Sequence, residues 1–289
     1  MLQDILVTGL VNGGVYALLA IGFSLVFGVA RIVNIAHTAF YMLAAYCFYT
    51  LLTRTGLGVA ASGAIAVAAV TLLSVVCYRL VIEPVREHEA AVLIATIALG
   101  LIFQELMLVA YGGSFLGIPS AVEGVVSVAG VSVPYQRLLI LVVAAAVLVA
   151  TWLVLYRTRL GLAIRATAND LEVANLMGMN VHRVAMATVA ISVALAAIAG
   201  VAVAPVFVVD PFMWLAPLVT VLAIVVLGGL GSLKGSLIGA LVIGYVEAIT
   251  VFALPKGAFL KGAVALSIMV VVLLVRPEGL FGVAFEEER

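Results

Sequence analysis

The fold class this chain predicts is all-α: a polytopic bundle of eight or nine membrane-spanning helices, with room for broken ones. Three observations predict it. Of 289 residues, 66% are hydrophobic and only 10% charged, with a mean hydropathy of +1.36, whereas a soluble domain carries about 25% charge. No single core hides that much apolar surface, so lipid must solvate much of it. The apolar residues fall into stretches close to the ~20 residues a spanning helix needs. The basic residues gather on alternate connections between those stretches, as cytoplasmic loops do.

In chain order the stretches are 5–29, 35–52, 59–82, 91–111, 138–156, 184–206, 217–230, 237–254 and 258–275. The seventh is short. Counted as a full span it gives nine crossings, and as a half-span eight. Thr55-Gly56, Pro84, Gly112-Gly113 and Pro277 punctuate the ends of the second, third, fourth and last stretches, where helices are expected to stop. The opening MLQDILVTGL has no basic region and no small-residue cleavage pattern, so it reads as a retained first span rather than a cleaved signal. The whole chain, 1–289, reads as one transmembrane domain, with 157–183 as a polar segment inside it.

With 157–183 in the cytoplasm and the spans alternating outward, one side collects Arg31, Arg79, Arg86, Arg157, Arg159, Arg165, Arg183, Lys234, Arg276 and Arg289. The other collects Arg54, Arg137, Lys256 and Lys261. Ten against four satisfies the positive-inside rule and puts the C-terminus in the cytoplasm. The connection 112–134 holds no Lys or Arg, only Glu123, and reads as an external loop. A net charge of zero argues against a nucleic-acid partner.

Asn12, Glu105 (beside Gln104) and Glu247 interrupt apolar spans. At membrane depth each requires a polar partner or a wet path. They either fix packing by interhelical hydrogen bonds or line a route for a polar solute. Asn34 precedes His37 at a helix start and is expected to cap it. Gly9-xxx-Gly13 and Gly231-xxx-Gly235-xxx-Gly239 put small residues on one helical face and permit close helix approach. Asn12-Gly13-Gly14 and the run from Gly228 through Gly229 and Gly231 to Ser232 serve equally as helix breaks. Cys47 and Cys77 lie in apolar runs and read as packed thiols. The chain has no GxxxxGK[ST], HExxH, GxSxG or CxxC, so no catalytic constellation and no metal or cofactor site of its own is expected.

The polar segment carries the most specific local signals. Residues 163–168 favour a short helix. Asn169 reads as an N-cap with Glu172 as its capping-box partner, and Asp170 adds negative charge at the helix start. Gly178 reads as the stop, and Asn180 as the cap of a span starting near Arg183. Leu171, Ala174 and Leu176 supply an apolar side. The segment has little bulk to insert into lipid, and its acidic residues avoid anionic headgroups. A helix that docks a soluble protein is the better reading, with Ala166, Ala168 and Ala174 as a small-residue side and Arg165 adding polar contact.

Four stretches then resemble a known family. NGGVYALLAIGFSLVFGVARIVNIAH at 12–37, RTRLGLAIRATANDLEVANLMGMNVHRV at 157–184, LGGLGSLKGSLIGALVIGYVE at 227–247 and RPEGLFG at 276–282 resemble, in order, the inner-membrane permease of branched-chain amino-acid ABC importers, the LivH type. Thr38 and Ala45 stand where that pattern has glycine. The resemblance implies a permease in a bacterial-type inner membrane that pairs with a homologue or second copy. Two ABC ATPases would dock at 157–183 and use ATP and Mg, and a periplasmic solute-binding protein would deliver the amino acid. This chain would do no bond-making chemistry. The competing reading is an ion-coupled secondary carrier that uses Glu105 and Glu247 alone; a membrane scaffold or enzyme ranks below it.

Overall fold

The computed structural model describes residues 2–282 except 121, 123, 129 and 130. Glu123 and Arg289, which entered the charge argument, lie outside the described residues. Eleven α-helices are found among the described residues: α1 (Leu2–Ala30), α2 (His37–Arg54), α3 (Val59–Cys77), α4 (Glu89–Tyr111), α5 (Tyr135–Arg157), α6 (Arg159–Asn169), α7 (Leu171–Leu176), α8 (Val181–Val203), α9 (Leu215–Gly228), α10 (Leu233–Ala253) and α11 (Gly257–Val275). A π-turn, Tyr78–Ile82, and a 3-10 turn, Glu83–Val85, extend α3, and Pro84 ends it. The connection 112–134 is not simply a loop. It folds into a hairpin of β1 (Val125–Val128) and β2 (Val131–Pro134), antiparallel with Val126 opposite Val133, as β-branched residues favour.

All nine apolar stretches form helices. Seven are long and apolar enough to cross a membrane: α1, α3 with its turns, α4, α5, α8, α10 and α11. Eight or nine crossings therefore require α2, α9 or both to cross as well. The 18-residue α2 carries His37, three threonines and three tyrosines. It tolerates them because His37, Thr38, Tyr41 and Tyr46 are buried against protein rather than lipid. The 14-residue α9 reaches only about 21 Å at 1.5 Å per residue, short of a ~30 Å hydrocarbon core.

Helix α1 is the hub, packed along α10 and against α5, α8 and α9. Its small residues set the spacing. A Cβ added at Gly244 of α10 would stand 2.7 Å from the Gly13 Cα, and one at Gly14 would stand 3.3 Å from the Ala144 Cβ of α5. Gly13 and Gly14 are thus close-packing positions in an unbroken helix, not a break. Ser24 and Ser236 share a buried hydrogen bond of 2.5 Å across α1 and α10. His37 bridges three helices, with Nε2 3.1 Å from the Leu19 carbonyl and Nδ1 3.3 Å from Ser192 Oγ. Asn34 does not cap α2. Ala36 takes the cap position, and the buried Asn34 amide makes no hydrogen bond.

The break falls between α9 and α10. Gly229 and Gly231 adopt φ of 95° and 81°, where glycine is favoured, so Gly231 belongs to the turn and not to a helical stripe with Gly235. Gly228 and Gly235 pack backbone to backbone. The RPEGLFG stretch completes this turn. Leu280 N–H donates to the Leu227 carbonyl at 2.8 Å, and Phe281 N–H to that of Gly228 at 3.1 Å. Two carbonyls that the end of α9 would otherwise leave open are satisfied by a strap from the chain's far end.

Contacts between connections divide the molecule into two faces. On one, Gly28 packs near Gly231 and Ala168, and His182 contacts Glu83. On the opposite face, Leu116 pairs with Val209, and Asp4, Ser132, Arg137 and Phe252 surround one small cleft.

Candidate functional site

Two sites emerge, one at each face. The first is the segment 157–183. Thr158 turns the chain out of α5: its Oγ1 donates to the Val154 carbonyl at 2.6 Å and accepts from Gly161 N–H at 3.1 Å, capping α6. Gly161 lies so close to the carbonyls of Val154 and Leu155 that a Cβ would collide with them. Gly161, Ile164 and Thr167, spaced by three, form the buried face of α6. Arg165 is held in the corner, its guanidinium 4.7 Å from the Tyr156 ring centroid, a cation–π geometry.

The N-cap of α7 is Asp170, not Asn169. Asp170 leaves helical geometry (φ −151°, ψ 112°), and its Oδ1 accepts from Val173 N–H at 2.9 Å. Asn169 is instead the last residue of α6. Glu172 therefore stands second in the helix and cannot close a capping box, although it still complements the helix dipole. The stop is as expected. Gly178 takes φ 79°, its N–H bonds the Asn175 carbonyl at 3.0 Å, and Met179 N–H bonds that of Ala174 at 3.1 Å, a Schellman closure. Asn180 Oδ1 accepts from Arg183 N–H at 3.0 Å and caps α8.

The outward face of α7 differs from the small-residue side expected. Ala174 is buried within the chain, while Val173, Leu176 and Met177 are 52%, 84% and 77% exposed. Asn169, Asp170 and Glu172 are exposed beside them, whereas Ala166 and Ala168 are only half-exposed on α6. Periodicity missed this because a six-residue helix offers too few turns to say which side faces inward.

The second site is a cavity of about 620 Å3 walled by α1, α2, α5, α8, α9, α10, α11 and the connection 204–214. Asn12 and Tyr16 stand one turn apart on the lining face of α1. Glu247, 1% exposed, accepts from the Tyr16 hydroxyl at 2.7 Å and from Thr220 Oγ1 at 3.5 Å. A buried acid on α10 is thus satisfied by α1 and α9. Asp210 and Lys261 complete the polar lining. Glu105 does not join Asn12 and Glu247: it is exposed on α4, where its carboxylate accepts from Gln104. The Gln104 carbonyl in turn accepts from Trp214 Nε1 at 3.0 Å. Sequence reasoning missed Tyr16, Thr220, Asp210 and Lys261. Only Tyr16, four residues after Asn12 on the same face, carried a usable signal.

Comparison with known proteins agrees with this architecture. Residues 5–273 match the model of a family described as branched-chain amino acid transport system / permease component. The chain is 32% identical to the high-affinity branched-chain amino acid transport system permease protein BraD of Pseudomonas aeruginosa, covering 96% of this chain and 94% of that protein. It is 31% identical to LivH of Escherichia coli K12, covering 95% and 93%. A probable LivH of Methanocaldococcus jannaschii is 27% identical over 98% of this chain and 93% of its own. Among solved structures, PsaBC from Streptococcus pneumoniae, in complex with Fab, shares the fold at a TM-score of 0.55 and 16% identity, covering 95% of this chain and 92% of that one. BraD and the two LivH proteins are transport permeases, and nothing among them favours an ion-coupled carrier. The chain belongs to the branched-chain amino acid transport permease family.

Proposed function

We propose that this chain is the membrane-spanning subunit of an ATP-driven importer of branched-chain or related amino acids. The match over 5–273 carries this reading. In it, a second permease, homologue or copy, packs beside this one in the inner membrane. Two ABC ATPases bind ATP and Mg beneath, and an external binding protein hands over the solute. In this reading the chain crosses nine times: α2 crosses, and α9, too short to span alone, does so together with the turns at 211–214 that precede it; the C-terminus is cytoplasmic. It is supported by the ten-to-four division of Arg and Lys and by the contacts that bring Gly28, Ala168 and Gly231 together and tie Leu280 and Phe281 to the end of α9.

The ATPase docks on α6 and α7. A helix fixed by Asp170 at one end and Gly178 at the other transmits force, and Val173, Leu176 and Met177 offer the exposed apolar contact that marks an interaction surface. Asn169, Asp170 and Glu172 set register from the rim; Ala174 supports the helix from behind, and Arg165 and Ala166 support α6. The solute passes by Asn12 and Glu247.

Reconstitution tests the reading: the chain, co-purified with its ATPases and supplied with the binding protein, accumulates leucine in proteoliposomes only with ATP. Uptake that ignores ATP and collapses with an ion gradient would refute it. Topology is tested separately in a variant lacking Cys47 and Cys77. A cysteine at position 170 should resist an impermeant thiol reagent added to whole cells, and one at position 115 should react.

A further inference from the structure

We infer that the corner where α5 turns into α6 is a binding site for an anionic phospholipid, with Arg157, Arg159 and Arg165 meeting its phosphate and Trp152 and Tyr156 lying beside it at the membrane surface. The inference goes beyond the importer reading and does not depend on it.

Charge carries the first part. Residues 157–168 hold Arg157, Arg159 and Arg165 and no Asp or Glu, whereas 169–178 hold Asp170 and Glu172 and no Lys or Arg. The basic half adjoins the α5 span, and the acidic half contains α7. Thr158 alone separates Arg157 from Arg159, and both are exposed. Arg165 folds back over Tyr156, its Cζ 4.7 Å from the ring centroid, and its buried Nε has no acceptor. Among the described residues none of the three arginines forms a salt bridge. Three guanidiniums in one corner, with no carboxylate among them, call for an anion from outside the chain. The planar fork of a guanidinium matches a phosphate, which accepts two parallel hydrogen bonds from it.

Position says which phosphate. Helix α5 is long and apolar enough to cross a membrane, and only 22% of its most apolar 18-residue stretch is buried within the chain. Trp152 and Tyr156 lie one turn apart near its end, 51% and 42% exposed, with their rings stacked at 5.5 Å. Exposed Trp and Tyr at the end of a span mark the head-group level. Trp152 stands five residues before the helix end, roughly 7.5 Å toward the membrane, a depth that a soluble ATPase does not reach. Leu160 and Leu162 are exposed in the first turn of α6, so the corner offers apolar surface beside its charge, as a membrane-surface helix does. Arg165 stacks on Tyr156 and Tyr156 on Trp152, which joins the charge to the aromatic pair in one continuous surface. A lipid held there fixes the corner from which α6 and α7 project.

The test reads tryptophan fluorescence of the full chain in phosphatidylcholine vesicles. A rising fraction of brominated phosphatidylglycerol is added in one series and of brominated phosphatidylcholine in the other. The chain has two tryptophans. Trp214 is buried, and subtracting the signal of Trp152→Phe isolates Trp152. The anionic lipid should quench Trp152 at a roughly tenfold lower fraction than the zwitterionic one, since each arginine near a membrane surface favours anionic lipid about fivefold. Arg157→Gln with Arg159→Gln should cut that preference at least about fivefold, and Arg165→Gln added to them should remove it. Arg54→Gln, outside the corner, should leave it unchanged. Molar salt should lower the preference of the unaltered chain, which tests the charge claim even where a variant fails to fold. Millimolar inorganic phosphate should leave it intact. The proposal is overturned if neither lipid quenches Trp152, which means that protein covers this face, or if both quench it equally. It is also overturned if the preference survives the triple replacement or molar salt, if Arg54→Gln lowers it as much as the corner variants, or if inorganic phosphate abolishes it, the mark of a site for a soluble anion.

Discussion

Helices α1 and α11 are both long and apolar enough to cross a membrane, and they have opposite surroundings. In α1, 78% of the most apolar 18-residue stretch is buried inside the chain; in α11 the figure is 6%. Sequence hydropathy does not separate them. What separates them is what they spend on neighbours. Helix α1 carries Gly9, Gly13, Gly14 and Gly22 at close approaches, Gly28 in ordinary contact, and polar Asn12, Tyr16 and Ser24 that meet partners or a cavity. Helix α11 beyond Lys261 carries mostly Val, Leu, Ile and Met, with Gly262, Ala263 and Ala265 near its start and a single Ser267, whose hydroxyl bonds its own helix at Ala263. Lipid is as apolar as leucine, so burial alone gives helices no reason to associate, and fitted backbones and hydrogen bonds do that work. In this chain the small and polar residues mark the inside, and the large apolar ones mark the outside.

The sharpest way to break this contrast is to enlarge a glycine at the α1–α10 seam. Gly244→Val sets a branched side chain against the Gly9 and Gly13 backbone, which cannot yield as a flexible side chain can. Overpacking of this kind costs about 1–3 kcal/mol or more, and the expected outcome is loss of folded permease from membranes, read by size-exclusion of a fluorescent fusion. Monodisperse protein in normal amount would mean that the seam is not tight. Gly262→Val on α11, where an added Cβ meets nothing within 4 Å, is the matched control and should leave the elution profile unchanged.

Next in size is the exposed face of α7. Leu176→Asp with Met177→Asp should leave the permease folded, because both side chains point away from the chain, yet strip the ATPase on purification and abolish coupled hydrolysis. Retained ATPase would mean docking happens elsewhere. Ala174→Trp is not the equivalent test, since the buried Ala174 would report on the fold instead.

Much of this was legible in the sequence, and the failures share a cause. Helix existence followed from hydropathy, Gly178 and Asn180 from their capping chemistry, and the 9–13 stripe from its spacing. The Asn169/Asp170 shift is one residue between two side chains that both cap well, a choice settled by where α6 ends rather than by local preference. Glu105 and Glu247 look alike in sequence, each an acid in an apolar span. Only packing shows that one faces outward on α4 and the other sits buried between Tyr16 and Thr220. Asp210 and Lys261 are 51 positions apart in the numbering, and no local pattern joins them. The strap at 276–282 was recognisable as a motif, but its task of closing the end of α9 was not.

Smaller is the effect expected at the cap of α7. Asp170→Ala removes the acceptor for Val173 N–H, and such cap losses cost about 1 kcal/mol. Fraying a six-residue helix should reduce coupled hydrolysis a few-fold without loss of ATPase binding, while Asn169→Ala, one residue earlier, should do less. The reverse order would restore Asn169 as the cap.

The smallest effect is expected on the outer face of α11. Leu274 is 80% exposed and Val271 59%, so each has little contact within the chain to lose. In lipid, truncating either to alanine leaves no cavity, because acyl chains fill the space. The expected change in melting temperature of the detergent-solubilised complex is close to nothing, within about 0.5 kcal/mol of stability. That holds only if lipid covers this face. If the second permease subunit packs there, the same truncations open voids in a protein interface and cost roughly 2 kcal/mol or more each, read as subunit dissociation on size-exclusion while the single chain stays folded. The pair of alanine variants therefore distinguishes a lipid-facing α11 from one that borders the partner.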